Sequence, residues 1–311
     1  MVGRPSEEHV PRYIELYQIG ELDKRIQKAL NGLKSCRACP WQCDVDRMAG
    51  DKKICKTGRF ARVSNYFSHF GEENCLRGWK GSGTIFFAGC NLLCVFCQNH
   101  DISQIETGQE ATPQELAGMM IELQRAGCHN INLVTPEHIV PQILEALPFA
   151  IRDGLKLPLV YNTGGFDSLE SIQMLDGIVD VYMPDFKYWY TDKAKRYLRA
   201  ENYPEVTRRA LTEMHRQVGV LSFHDDGIAR QGVLVRHLIM PQGLDDTREI
   251  MKFLSAHLSP DTYVNIMAQY RPACRVGSQI YREINRGVTV EEMKGAYHFA
   301  TEAGLHRFDV R

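Results

Sequence analysis

Cys90, Cys94 and Cys97 form a C-x3-C-x2-C set, and three thiolates at that spacing can wrap a compact iron–sulfur cluster from one loop. An ordinary [4Fe-4S] centre takes four cysteines. Three leave one iron open. An open iron can chelate the amino and carboxylate groups of S-adenosylmethionine (SAM), which sets the sulfonium beside the cluster. One electron then breaks a carbon–sulfur bond and yields a 5'-deoxyadenosyl radical, with the cofactors carrying the chemistry and the protein orienting them. Two plainer readings compete: a zinc knuckle with His100 as its fourth ligand, and three buried free thiols.

A second set, Cys36-x2-Cys39-Pro40-x2-Cys43-x11-Cys55, has the spacing of a small metal knot. The residues between are short and polar, so the segment is expected to need its ligand in order to fold. Zinc in a closed tetrahedral site, an iron–sulfur cluster and a single redox iron all suit four cysteines. Of the ten cysteines, eight fall within the first 97 residues, which is not how a disulfide framework in a large secreted domain is distributed. Cys75 reads as an unpaired structural cysteine, Cys128 as a core thiol behind the helix-ending Gly127, and Cys274 as a residue after the last strand that could face a substrate mouth.

The elements that must position these groups are legible from periodicity. Residues 1–35 suggest a helical arm stopped at Asn31-Gly32, and residues 36–83 suggest loop held together by a metal. From Gly81 onward, apolar runs of strand length alternate with amphipathic runs of helix length. Strands are predicted at 84–88, 130–134, 159–162, 179–183, 233–240 and 263–267. The best-marked helix follows Thr112, with Pro113 at its first position, Glu115 completing a capping box and Gly127 closing it. Other helices are predicted at 139–152, 169–175, 204–217, 246–257 and 290–303. The expected fold is α/β: a partial (β/α)6 barrel over residues 81–311, preceded by a helical arm and Cys-rich metal-binding segment over residues 1–80.

In such a sheet the chemistry belongs at the carboxyl ends of the strands. Cys90 follows the first strand there, and Asn162, Thr163, Asp185, Lys187 and Arg236 fall at or near the ends of later ones. A zwitterionic ligand needs both signs of charge at that mouth. Taken singly, Asp185 could cap a turn, Lys187 could be a solvated charge and Arg236 could pair with a structural carboxylate.

Composition narrows the partners. Lys and Arg number 37 against 38 Asp and Glu, scattered along the chain, so no basic stripe tracks a nucleic acid. No apolar run reaches membrane-spanning length, and the first residues carry no apolar signal core, which gives a cytoplasmic expectation without a membrane partner.

The stretch from Gly81 to Asn99, with Cys90-Asn-Leu-Leu-Cys94-Val-Phe-Cys97 at its centre, resembles the radical SAM superfamily, and in particular relatives of pyruvate formate-lyase activating enzyme. The likeness runs from about Cys36 to the end of the chain. Asp180-Val-Tyr-Met183-Pro-Asp185-Phe-Lys187 is similar to the segment whose aspartate and lysine help those enzymes grip the methionyl part of SAM. Asn162-Thr163 stands where that family places polar residues near the SAM carboxylate, and Val235-Arg236-His237 resembles the strand that brings in an arginine. The resemblance implies an oxidoreductase with a [4Fe-4S] cluster, SAM, and an electron donor such as flavodoxin or ferredoxin. It also implies hydrogen abstraction from a substrate, either a glycine of a partner protein or a small molecule. Two departures stand out. Val134-Thr135-Pro136-Glu137-His138 replaces the Gly-Gly-Glu type motif that binds the SAM amino group, leaving Thr135, Glu137 and His138 as candidates. The extra cysteines precede the cluster motif, whereas in activating enzymes with extra clusters they follow it. The alternative from another class is a non-catalytic iron–sulfur or zinc protein serving redox transfer or sensing.

Overall fold

The computed structural model describes residues 10–105 and 107–309; residues 1–9 of the expected arm lie outside the described residues. Two helices open the chain, α1 (Arg12–Gln18) and α2 (Glu21–Asn31). They are followed by the cysteine segment, β1 (Ala61–His69) and the one-turn α3 (Asn74–Arg77). Then come β2 (Ser82–Phe87), the short α4 (His100–Ser103), β3 (Gln109–Ala111), α5 (Pro113–Arg125), β4 (Ile131–Val134), α6 (Val140–Arg152) and β5 (Leu159–Thr163). The second half runs α7 (Leu169–Met174), β6 (Val181–Pro184), α8 (Thr191–Leu198), α9 (Tyr203–Val218), β7 (Ser222–Phe223), β8 (Ala229–Leu238), α10 (Leu244–Phe253), β9 (Tyr263–Met267), α11 (Val290–Glu302) and β10 (Arg307–Phe308).

One sheet joins the strands in the order β10-β9-β8-β6-β5-β4-β2-β1-β3. Along this path every neighbour from β2 to β10 is parallel, while β1 runs antiparallel to β2 and to β3, and β7, off the path, runs antiparallel to β8. The six expected strands are thus β2, β4, β5, β6, β8 and β9, and the open order is that of a partial α/β barrel. Their apolar runs are buried on both faces because helices cover the outside and other side chains fill the inside: Ile131, Leu133, Leu159, Val160 and Tyr161 are all essentially inaccessible. The Thr112 capping box on α5 is formed, with Thr112 Oγ1 accepting from Glu115 N and the Glu115 carboxylate accepting from Thr112 N at 2.8 Å.

The expectation of loop throughout 36–83 is corrected. β1 lies inside that range and carries the sheet past β2, and its register with β2 shifts between Val63 and Asn65. That bulge moves the inward face from one set of alternating residues to the other, so no single period-two pattern runs through the strand. α3 then enters the barrel interior. Cys75 and Leu76 pack there with Val160, Val181 and Leu234, so Cys75 is a buried structural thiol. Among the described residues no helix is long and apolar enough to cross a membrane.

Candidate active site

The loop after β2 is held from several sides. Gly89 has φ +83° and stands so close to Cys55 that an added Cβ would lie 2.3 Å from the Cys55 carbonyl oxygen, so only glycine fits. Asn91 Nδ2 donates to Phe166 O at 2.6 Å, Val95 N donates to Tyr197 O at 2.9 Å, and Gln104 Nε2 donates to Cys94 O at 2.9 Å. The three cysteines of this loop line one cavity of about 370 Å3 inside the barrel. Cys90 Sγ accepts the Leu92 N–H at 3.3 Å, and Cys97 Sγ lies 3.2 Å from Ser103 Oγ on α4. Burial pushes the Cys94 thiol up to about 12, opposed by the neighbouring Lys187, and burial likewise raises Cys90. A thiolate at these positions therefore needs a compensating cation or metal. His100 is exposed and stands outside the cavity lining, so the zinc knuckle loses its fourth ligand.

The expected charged residues meet on the opposite wall. Asp185, just past β6, accepts Arg236 Nε at 2.8 Å on Oδ1 and Lys187 Nζ on Oδ2. Burial alone would raise the Asp185 carboxyl, but Arg236 and Lys187 hold it below the usual carboxylate range; the same contact raises both cations. Of the plainer alternatives, a solvated Lys187 is excluded, since its side chain is only 13% exposed. Tyr203 secures the turn: its hydroxyl accepts Lys187 N and lies 3.0 Å from Asp185 O. Asn162 and Thr163, at the end of β5, line the same cavity. The Thr163 hydroxyl donates to Asp167 Oδ2 at 2.6 Å and accepts Gly165 N at 3.1 Å, so it organises the loop after the strand.

The segment after β4 divides its three candidates. Thr135 lines the cavity with a left-handed backbone (φ 62°), a conformation a β-branched residue adopts only under constraint. Glu137 also lines it: Oε1 accepts Gly164 N at 3.3 Å while Oε2 is buried without a hydrogen-bond partner. Burial, reinforced by Asp167, pushes the Glu137 carboxyl up to about 8. His138 turns away, with Nε2 3.3 Å from Ala88 O, and burial holds its ring neutral by lowering it to about 3.

Other residues of the cavity were not anticipated. His69, Glu72 and Glu73, from the end of β1 and the turn into α3, form its floor. His69 Nδ1 lies 3.0 Å from Glu72 Oε1, and Glu73 Oε1 accepts Asn265 Nδ2 at 2.7 Å. The only sequence signal was a Gly-Glu-Glu run beside polar residues. Tyr188 is buried and stacked on Tyr197, filling the core beside Phe96. One expectation for the opening is corrected. Cys274 is half-buried and stands outside the cavity lining, although close enough to Cys97 for that thiol to raise it after burial does.

The family model described as the radical SAM superfamily matches residues 84–254, which takes in the cavity wall from Cys90 to Arg236. The chain belongs to the radical SAM superfamily. Membership of the radical SAM superfamily implies a [4Fe-4S] cluster and SAM, and an enzyme that cleaves SAM by radical chemistry. A radical SAM chain of this kind has a relative 33% identical over 294 residues, covering 91% of this chain and 79% of the other, described as uncharacterized protein MJ0674 of Methanocaldococcus jannaschii. Among solved structures, SuiB of Streptococcus suis superposes with a TM-score of 0.45 at 9% identity, covering 71% of this chain. This chain spans only 46% of SuiB.

Proposed function

We propose that Cys90, Cys94 and Cys97 hold the [4Fe-4S] cluster, that Asn162, Thr163, Asp185, Lys187 and Arg236 receive SAM, and that the enzyme abstracts hydrogen from a substrate bound in the same cavity. The observation that carries this reading is convergence. Three thiols from one loop share a cavity with two cations anchored on one carboxylate and with an unsatisfied Glu137 oxygen. The donor set suits the pair of cofactors. The thiols are soft iron ligands, and the cavity offers cations toward a carboxylate and acceptors toward an ammonium group.

When bound, the cluster supplies one electron to the sulfonium of SAM and so breaks its carbon–sulfur bond. The chain's own residues orient and enclose. Lys187 and Arg236, each fixed by Asp185, present positive charge without having to rearrange when an anion arrives. Glu137, Asn162 and the backbone around Thr135 supply acceptors on the facing side. Buried aromatic side chains behind the cluster loop, Phe96, Tyr188 and Tyr270, exclude water from its rear. The resemblance to activating enzymes makes a glycine of a partner protein one candidate hydrogen source and a small molecule the other, with flavodoxin or ferredoxin as electron donor.

Anaerobic reconstitution with iron, sulfide, SAM and dithionite should release methionine and 5'-deoxyadenosine. Absence of both products from a protein whose cluster content is confirmed overturns the reading and leaves the non-catalytic alternative. Co-purification of a glycyl-radical protein selects the partner-protein branch.

A further inference from the structure

The four cysteines between α2 and β1 have no part in the cavity, yet their surroundings are organised as a ligand shell. The chain doubles back on itself: Cys36 N donates to Val45 O at 3.0 Å and Asp44 N donates to Cys36 O at 3.1 Å. A turn closed by Gln42 N to Cys39 O at 3.1 Å lies between them. Gln42, Asp44 and Lys56 all adopt left-handed backbone at φ 43°, 54° and 54°, and each adjoins Cys43 or Cys55. Three such non-glycine residues in one short segment need something that holds them.

A second observation concerns charge. Arg47 is 1% exposed. It donates to Gly58 O at 2.9 Å, to His138 O at 2.7 Å and to Cys36 Sγ at 3.7 Å, while its Nη2 has no hydrogen-bond partner. Two neutral carbonyls and a thiol do not answer a buried guanidinium, which is costly unless an anion stands beside it. Four thiolates around zinc, or around a [4Fe-4S] core, carry a net negative charge. The anion that Arg47 needs is therefore the one a metal would create from these cysteines.

We infer that Cys36, Cys39, Cys43 and Cys55 hold a second metal centre, closed by four thiolates, with Arg47 as its buried counter-ion, and that this centre braces the loop carrying Cys90. Among the described residues no three His, Cys, Asp or Glu side chains meet as ligands of one ion, and this is true of Cys90, Cys94 and Cys97 as well. In this reading the metal draws the four sulfurs together, as where a site and its ligand fold as one. The brace is direct. Trp41 Nε1 donates to Asn91 O at 2.6 Å, Cys55 O abuts Gly89, and His138, which accepts from Arg47, contacts Ala88 O. Residues 88–91, ahead of and just past the first cluster ligand, thus rest on the knot.

The second metal centre and its test stand apart from SAM cleavage; only the brace rests on a cluster at Cys90, Cys94 and Cys97. A Cys90→Ala/Cys94→Ala/Cys97→Ala variant should still purify with one metal centre per chain: zinc without sulfide for a single ion, or iron matched by acid-labile sulfide for a cluster. Adding Cys39→Ser and Cys43→Ser should bring that metal to background. A folded triple variant without metal, or one that keeps its metal after both further substitutions, overturns the site. Should the triple variant not fold, the metal and sulfide content of the reconstituted native chain against Cys39→Ser/Cys43→Ser gives the same reading: a lost centre supports it and an unchanged total overturns it. Arg47→Met should speed metal loss to a chelator about tenfold, with Arg47→Lys closer to the native rate; equal rates for all three overturn the counter-ion role. In the otherwise native chain, Cys39→Ser should also lower iron at Cys90, Cys94 and Cys97, and full occupancy there overturns the brace.

Discussion

Asp185 answers two cations at once, which makes it the residue whose loss is most easily foreseen. Asp185→Asn keeps the shape but leaves Lys187 and Arg236 facing each other in a largely buried wall. Removing one partner of a buried ion pair costs on the order of 3 kcal/mol, so the urea midpoint should fall clearly and SAM binding by titration calorimetry should weaken with it. An unchanged midpoint would mean that water screens the trio far better than its burial indicates. Glu137 makes a prediction of opposite character. Its carboxyl, at about 8 in the folded chain against an ordinary 4.5, keeps a proton that the unfolded chain releases. Between those two values the folded state binds the extra proton, so stability declines as pH rises through the window, by at most about 1.4 kcal/mol per unit. Glu137→Gln should flatten that slope in thermal melts of cluster-free protein. Asp167, raised to about 6, contributes with the same sign in the lower part of the window and persists in the variant. A slope that survives intact at pH 7 would place the proton elsewhere.

At the scale of elements, what could be read in advance was whatever repeats with a simple period. β4 is Ile131-Asn-Leu-Val134 and β5 is Leu159-Val-Tyr161 closed by Asn162-Thr163, and their bounds differ from the expected ones by a single residue. α5 announced itself by its cap. Thr112→Ala should cost about 1 kcal/mol, seen as a lower urea midpoint with SAM cleavage unaltered, since α5 packs on the outer side of the sheet; a loss of cleavage would show that the helix also positions the loop carrying Cys90. β1 was illegible because its bulge changes the inward face partway along. The floor acids Glu72 and Glu73 were illegible for a related reason. Their place in the cavity depends on α3 entering the barrel, a tertiary fact that neither spacing nor composition carries. By contrast, Asp185, Lys187 and Arg236 could be found because strand ends in a parallel sheet converge whatever the side chains are; that they bond to one another depends on side-chain packing that no spacing encodes.

The whole molecule separates support from chemistry by using the two ends of the barrel differently. The carboxyl ends of the strands carry the cysteine loop and the charged wall. Beneath the amino ends, α1 and α2 are fastened by contacts to the turns that lead into β5 and β6. Tyr13 OH donates to Leu157 O at 2.8 Å, Arg12 reaches Val179 O at 3.2 Å, and Arg25 bonds to Met174 O at 3.0 Å and to Asp176 O. Tyr13 is fully buried, so Tyr13→Ala removes a large side chain from a packed contact and should destabilise by about 3–5 kcal/mol, as other aromatic truncations do. Because that contact lies across the sheet from Cys90 and Asp185, methionine release per folded molecule should stay at the native level below the lowered melting temperature. Matched losses of stability and of turnover, measured at a temperature where circular dichroism shows the variant folded, would show instead that the amino-end contacts set the spacing of the strand ends that hold the site.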